Sequence, residues 1–301
     1  MDKGQAVFRT YRTLGRCIAA LPEPMAIGLG NMAGDVLHRV RDDQREMVTA
    51  NLRRVLGSAV DDPQVLDRWV RRSFRSYARY WVEGARLPSI SSEEVEKRVV
   101  LDGIEHVQQG MAAGKGVIVA LPHVGSWEYA AAYLCTQGIA MTAVAERIEP
   151  PALFDYFVAQ RAAMGISIVP LDKNSGRALL STLRDGGLVG LLCDRDIEEN
   201  GIEVDFFGER TTMPAGPATL ALRTGAMLCT GTVYSGPGRD HRAVIDPPID
   251  TSRCGTLRED LLRLTQEIAH RMEEMIRRAP EQWHVFQPLW IVDRPLVESV
   301  A

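Results

Sequence analysis

The sequence predicts an α/β fold: a central, mostly parallel sheet flanked by helices, with a helical N-terminal part. Three observations carry this expectation. From Val99 onward short apolar runs alternate with helical stretches, the pattern of repeated strand–helix–strand units. Two of the runs, starting at Val117 and at Leu188, are apolar almost throughout, as strands covered on both faces are. Before residue 96 the chain carries helix starts and helical spacing but no comparable run. The 301 residues fit a single domain, read as a helical part over 1–95 and an α/β core over 96–301.

Taken in order, residues 1–60 read as short helices, with an amphipathic one from Gln44 to Leu56. Asp61-Asp62-Pro63 is a helix start, an acidic cap followed by Pro in the first turn. That helix runs to about Arg86. It carries Arg68, Arg71, Arg72, Arg75, Arg79 and Arg86, interleaved with Trp69, Phe74, Tyr77, Tyr80 and Trp81. Such a face either sits solvated over an aromatic core or meets anionic lipid headgroups. Strands are expected at Val99–Asp102, from Val117, at Met141–Ala145, at Ile166–Val169 and from Leu188 to Cys193. A short one is expected at Glu203–Phe207, and two more at Met227–Val233 and Arg242–Ile245. The helices between them are Ile104–Ala113, the stretch from Tyr129, Pro151–Met164, Ser175–Arg184 and Pro214–Thr224, with a long amphipathic helix over Thr256–Arg278. Gly114, Gly165 and Gly225 close three of these, as helix C-termini favour.

Composition narrows the classes. A formal net charge of −4 argues against a nucleic-acid binder. Five Cys without a CxxC pair suggest reduced, mostly buried thiols in a cytoplasmic protein, and no zinc spacing is present. Lys3, Arg9, Arg12 and Arg16 break up the N-terminus, which does not read as a secretory signal. The stretch Cys17–Leu37 contains Pro22, Glu23, Pro24 and Asp35, so it does not qualify as a spanning helix. It is expected either at a bilayer surface as broken amphipathic helices or packed as a helical hairpin. No phosphate-cradling Gly-rich loop and no Gly-x-Ser-x-Gly elbow occur, which disfavours nucleotide chemistry and serine hydrolysis.

The candidate chemistry lies in His123-Val-Gly-Ser-Trp-Glu128, between an apolar strand and the next helix. A His leaving the end of a strand sits where ligands bind in open α/β sheets and can take a proton near neutral pH. A carboxylate in the first turn of a helix is favoured by the exposed N–H groups. Taken alone, His-x4-Glu is a weak pattern, but other stretches join it. Glu146 stands at the end of the next strand, Arg161 lies on the helix after that, and Asp194-Arg195-Asp196 follows the Leu188 run. If the strands are parallel, these groups share one sheet edge. Glu128, Asp194 or Asp196 can then orient the imidazole, and Arg161 or Arg195 can fork onto a phosphate or carboxylate. Asp205-Phe-Phe-Gly-Glu209 and Thr212-Met-Pro-Ala-Gly-Pro217 supply aromatic surface and a helix N-terminus suited to an apolar tail beside a polar head.

In order and combination these blocks, with Trp283-His-Val-Phe-Gln-Pro-Leu-Trp290, resemble the bacterial lipid acyltransferases that share a His-x4-Asp/Glu motif. Within that group they are most similar to the phosphatidylinositol mannoside acyltransferases. The resemblance implies an acyl-CoA-dependent O-acyltransferase, peripheral at the cytoplasmic face of the membrane, acting on a mannosyl hydroxyl of a glycolipid. It implies His123 as general base with Glu128 and Asp194 as catalytic carboxylates, and Glu146, Arg161, Arg195, Asp196 and Ser126 around the substrates. Acyl-CoA is then a donor substrate, and neither a cofactor nor a metal is called for. Oxyanion donors are expected from backbone N–H groups near Gly125 or at the Pro214 helix start. The expected partners are acyl-CoA, a glycolipid acceptor and an anionic membrane surface, with no nucleic acid; a monomer is expected. The rival readings are an acyltransferase on another, lipid A-like glycolipid acceptor, a non-catalytic lipid- or acyl-CoA-binding protein, and a hydrolase that uses water at the same base.

Overall fold

The computed structural model describes residues 3–293. Five helices come first: α1 (Lys3–Ala20), α2 (Glu23–Val40), α3 (Asp42–Leu56), α4 (Pro63–Arg86) and α5 (Ser92–Arg98). Asp62 caps α4 by accepting the Gln64 N–H at 2.8 Å, and Pro63 occupies the first turn, where a missing N–H costs nothing. The alternating part then runs β1 (Val99–Asp102), α6 (Ile104–Ala112), β2 (Val117–Leu121), α7 (Trp127–Thr136), β3 (Met141–Ala145), α8 (Pro151–Ala163), β4 (Ile166–Pro170), α9 (Ser175–Arg184) and β5 (Leu188–Leu192). A hairpin of β6 (Ile202–Phe206) and β7 (Glu209–Met213) precedes α10 (Gly216–Thr224), β8 (Met227–Ser235), β9 (His241–Ile245) and α11 (Leu257–Arg278). A capping box between Thr256 and Glu259 starts α11.

The central sheet has seven strands in the order β1-β9-β8-β2-β5-β3-β4. All neighbours are parallel except the antiparallel pair β8–β9. β2 is buried at all five positions. Ile118 and Ala120 face Leu183 of α9, Ala221 of α10 and Leu264 and Ile268 of α11. Val117, Val119 and Leu121 face Val107 of α6 and Ala131 and Leu134 of α7. A period of two thus feeds both layers.

Four findings depart from the expectations. Glu209–Met213 is a strand paired antiparallel with β6; its sequence Glu-Arg-Thr-Thr-Met carries no apolar run. The Phe206 and Phe207 block does not offer an aromatic binding surface: Phe206 is fully buried and stacks near Trp290. Cys17 and Cys254 are exposed, while Cys193 and Cys229 are buried. Four arginines of α4 have partners within the protein. Arg71 and Arg75 both clasp Asp35 of α2, Arg79 pairs with Glu83, and Arg86 holds the last carbonyls of α1. Arg68 and Arg72 remain exposed on α4, and Arg71 and Arg75 keep about two fifths of their side-chain surface open.

The segment Cys17–Leu37 forms parts of two helices broken at Leu21-Pro22, each lying against α4. α2 approaches α4 through small residues. Ala26, Gly30 and Gly34 are its buried positions, and a Cβ built on Gly34 would stand 2.8 Å from the Phe74 carbonyl oxygen. The opposite stripe of α2 is apolar and exposed: Met25, Leu29, Met32, Val36 and Val40. Among the described residues no helix is long and apolar enough to cross a membrane.

Candidate active site

The carboxyl ends of β2, β5 and β3 meet at one edge. Leu121 pairs with Leu192 in register, so His123 and Asp194, each two residues further on, emerge at the same height. The turn after β2 is tightly specified. Gly125 has φ +59° and a Cβ there would lie 2.0 Å from the Val233 carbonyl oxygen, so glycine alone fits. The turn is also stitched to the C-terminal segment. Gly125 N–H donates to the Gln282 carbonyl at 3.0 Å, and His284 N–H donates to the His123 carbonyl at 2.7 Å.

Asp194 is the partner of His123. Its Oδ1 lies 2.5 Å from His123 Nδ1, and its Oδ2 accepts the His123 backbone N–H at 2.9 Å and the Trp283 indole N–H at 2.8 Å. The carboxylate is fully buried. Burial works to raise its pKa, but the imidazole and the converging N–H donors outweigh it and hold the group below its ordinary value. An ionised Asp194 fixes Nδ1–H on the imidazole, leaving Nε2 as the acceptor. Asp196, the other candidate in that segment, is turned to its own loop and accepts the Gly201 N–H at 2.8 Å.

Glu128 stands elsewhere. Its Oε1 accepts from Tyr80 Oη at 3.0 Å and from Arg161 Nη2 at 2.8 Å. The Arg161 guanidinium lies over Trp127 and Phe157, and its pKa is raised by the nearby Glu128 against the opposing effect of burial. Burial and Glu128 together push the Tyr80 phenol well above its ordinary value. Glu128 thus organises a Tyr–Glu–Arg cluster rather than the imidazole.

A cleft of about 1100 Å³ opens at this edge, bordered by His123, Glu146, Arg161, Arg195 and Asp196 among others. One limb is apolar, with Val144, Leu179, Leu180, Leu191 and Leu220; the basic residues Lys173, Arg177, Arg184 and Arg223 also line the cleft. Pro214–Pro217, at the start of α10, border it as expected. One expectation is corrected and another narrowed. Ser126 is buried and donates its hydroxyl to Glu83 at 2.5 Å, so it does not face a substrate. Of the N–H groups expected near Gly125 as oxyanion donors, that of Gly125 itself is taken by the Gln282 carbonyl.

Two groups of the site escaped the sequence reading. Tyr80 was visible only as one aromatic of a basic helix. His284 lies 161 positions from His123, so no local spacing connects them; it lines the cleft, bonds Ser76 at 2.9 Å, and burial beside His123 pulls its imidazole down to about 3.

Comparison with known proteins identifies the family. The family model of bacterial lipid A biosynthesis acyltransferases matches residues 5–291. The phosphatidylinositol mannoside acyltransferase of Mycolicibacterium smegmatis is 36% identical over 294 residues, covering 96% of this chain and 93% of that protein. Its namesake from Mycobacterium tuberculosis is 37% identical over 257 residues, 82% of this chain and 78% of the relative. A lipid A biosynthesis acyltransferase of Haemophilus influenzae is 25% identical over 204 residues, 67% of this chain and 60% of the relative. Matched by that family model over nearly its whole length, the chain belongs to the bacterial lipid A biosynthesis acyltransferase family.

Proposed function

We propose that this acyltransferase moves a fatty acyl chain from acyl-CoA to a mannosyl hydroxyl of a phosphatidylinositol mannoside, with His123 as general base. The observation that carries the reading is the His123–Asp194 pair opening onto a cleft with one apolar limb and a set of cationic residues. An alcohol is a weak nucleophile at neutral pH, and a positioned base is typically worth about 10²–10⁴-fold. Nε2 takes the hydroxyl proton as the oxygen bonds to the thioester carbonyl carbon. The tetrahedral intermediate collapses, the carbon–sulfur bond breaks, and the proton passes from the imidazolium to the departing thiolate. Asp194 stays ionised and stabilises the imidazolium. The apolar limb suits the acyl chain, and the cations suit the phosphates of the donor and of the acceptor headgroup. The acceptor class rests on the two mycobacterial relatives, whose names specify it.

The reading places the enzyme peripherally at the cytoplasmic face of a membrane, where acyl-CoA and glycolipid meet. The surface we assign to this contact is α2 rather than α4. Met25, Leu29, Met32, Val36 and Val40 present one apolar stripe, 51–65% exposed. Glu23 and Asp35, the two carboxylates of α1 and α2, are turned inward onto Arg98 and onto Arg71 and Arg75. Exposed Lys3, Arg16 and Arg39 remain on these helices. An exposed apolar stripe on a helix pair whose exposed charges are cations suits an anionic bilayer surface.

The test is product formation from palmitoyl-CoA and a phosphatidylinositol mannoside, with wild type and His123→Ala in parallel. Acylated glycolipid from wild type and loss of nearly all transfer in the folded variant are expected. Near-normal transfer by His123→Ala would overturn the base assignment. Coenzyme A release without acylated lipid would point to a hydrolase or another acceptor, and saturable acyl-CoA binding without turnover to a binding protein.

A further inference from the structure

A second buried polar cluster lies behind the motif turn, outside the cleft. At its centre is Glu83 on α4, 4% exposed. Its Oε1 accepts from Arg79 Nε at 2.5 Å. Its Oε2 accepts the Ser126 hydroxyl at 2.5 Å and the Ser235 hydroxyl at 3.4 Å, and stands 3.3 Å from His241 Nε2. The His241 ring lies flat on Tyr129, centroids 3.8 Å apart and planes 13° apart. Arg79 extends the cluster to the β8–β9 turn, donating to the Gly236 and Gly238 carbonyls at 2.9 Å each. Burial works to raise the Glu83 carboxyl, yet His241, Arg79 and Ser126 outweigh it and hold it at about 2.

The position of Ser126 gives this cluster its meaning. Ser126 occupies the N-cap of α7, but its side chain makes no capping bond. A serine there normally accepts a helix N–H; this one donates instead to a carboxylate from another element. Tyr129, under the His241 ring, is in the first turn of the same helix. The cluster therefore grips the motif helix at its start, three residues after His123 and two before Glu128. A buried ion pair is a poor source of net stability compared with apolar packing; what it provides is one fixed arrangement.

We propose that Glu83 is a positioning residue for acyl transfer: through Ser126 it holds the turn that carries His123 and Glu128 in register with the cleft. Glu83 does not border the cleft and acts through its neighbour, so its contribution falls on turnover rather than on donor binding. A displacement of the reacting groups by about 1 Å costs roughly 10²-fold.

The inference rests on His123 being the base, so its test carries a readout independent of turnover. Wild type, Glu83→Gln, Ser126→Ala and the double variant are compared in palmitoyl-CoA-dependent transfer. Amide hydrogen exchange of the 123–128 segment is measured on the same proteins. The expected loss in kcat is about 100-fold for Glu83→Gln and about 10-fold for Ser126→Ala, with donor KM within about two-fold of wild type. The double variant is expected to match Glu83→Gln alone, since the Ser126 hydroxyl contributes only through the charged Glu83 that anchors it. Exchange over 123–128 is expected to rise in all three. Wild-type kcat in folded Glu83→Gln, losses that multiply in the double variant, or a change confined to KM would each overturn the proposal. If wild type itself transfers nothing, the catalytic reading fails, and exchange alone decides: unchanged protection at 123–128 overturns the positioning role. If Glu83→Gln does not fold, Ser126→Ala decides by the same two measurements.

Discussion

The two ends of the His-x4-Glu motif are held by different parts of the molecule. The His123 end belongs to the sheet: its partner Asp194 follows β5, and the Trp283 indole braces the carboxylate from behind. The Glu128 end belongs to the helices: its partners are Tyr80 of α4 and Arg161 of α8. The four-residue spacing does not bring base and carboxylate together. It straps a sheet-edge histidine to a helical wall of the same cleft. Chemistry is expected at one end and shaping of the cleft at the other.

That contrast is broken or sharpened most strongly by a pair of isosteric changes. Asp194→Asn leaves the geometry but removes the charge that fixes the imidazole tautomer, so kcat should fall roughly 10³–10⁴-fold. Glu128→Gln keeps an acceptor for one partner and loses the charge opposite Arg161; a loss of about 10-fold is expected, shared between kcat and KM. Single-turnover and steady-state rates on both variants measure this, and equal losses would dissolve the division between the two ends.

The next effect is on stability. His284 borders the cleft with a pKa lowered from 6.5 to about 3. The unfolded chain therefore binds the proton first. Stability held above pH 6.5 is lost as pH falls toward 3, by up to about 1.4 kcal/mol per pH unit from this group. His284→Gln should flatten that slope in urea titrations between pH 7 and pH 4.5, and an unchanged slope would remove His284 from the acid response.

The smallest effect on chemistry is expected farthest from the sheet. Met32→Asp on the exposed stripe of α2 should reduce partition onto anionic vesicles several-fold, while turnover of detergent-dispersed substrate stays at the wild-type level. Replacing Arg68 and Arg72 on α4 should change partition less. The reverse order would return the membrane contact to α4.

Much of this was legible in the chain. The apolar runs at Val117 and Leu188 predicted buried strands of a mostly parallel sheet; their direct pairing in register, which sets His123 and Asp194 side by side, came from the structure. The choice among Glu128, Asp194 and Asp196 was not legible, because it depends on which side chains turn inward after the strand ends. Asp194 is fully buried while Asp196 curls back to its own loop. Ser126 was misread for the same reason: the sequence places it in the motif but not the direction of its hydroxyl. The pairing of Arg71 and Arg75 was not legible because their partner, Asp35, lies 36 positions before Arg71. β7 was missed because its strand character comes from pairing with β6 and not from its own residues.

Trp283 has a use apart from holding a carboxylate. Its indole N–H rests on the Asp194 oxygen that also takes the His123 backbone N–H, in a pocket closed to solvent. When the imidazole gains a proton, the electric field along that indole changes. The difference between the emission of wild type and of Trp283→Phe should therefore follow the protonation of His123 as pH is varied, giving an optical titration of the base that needs neither substrate nor turnover.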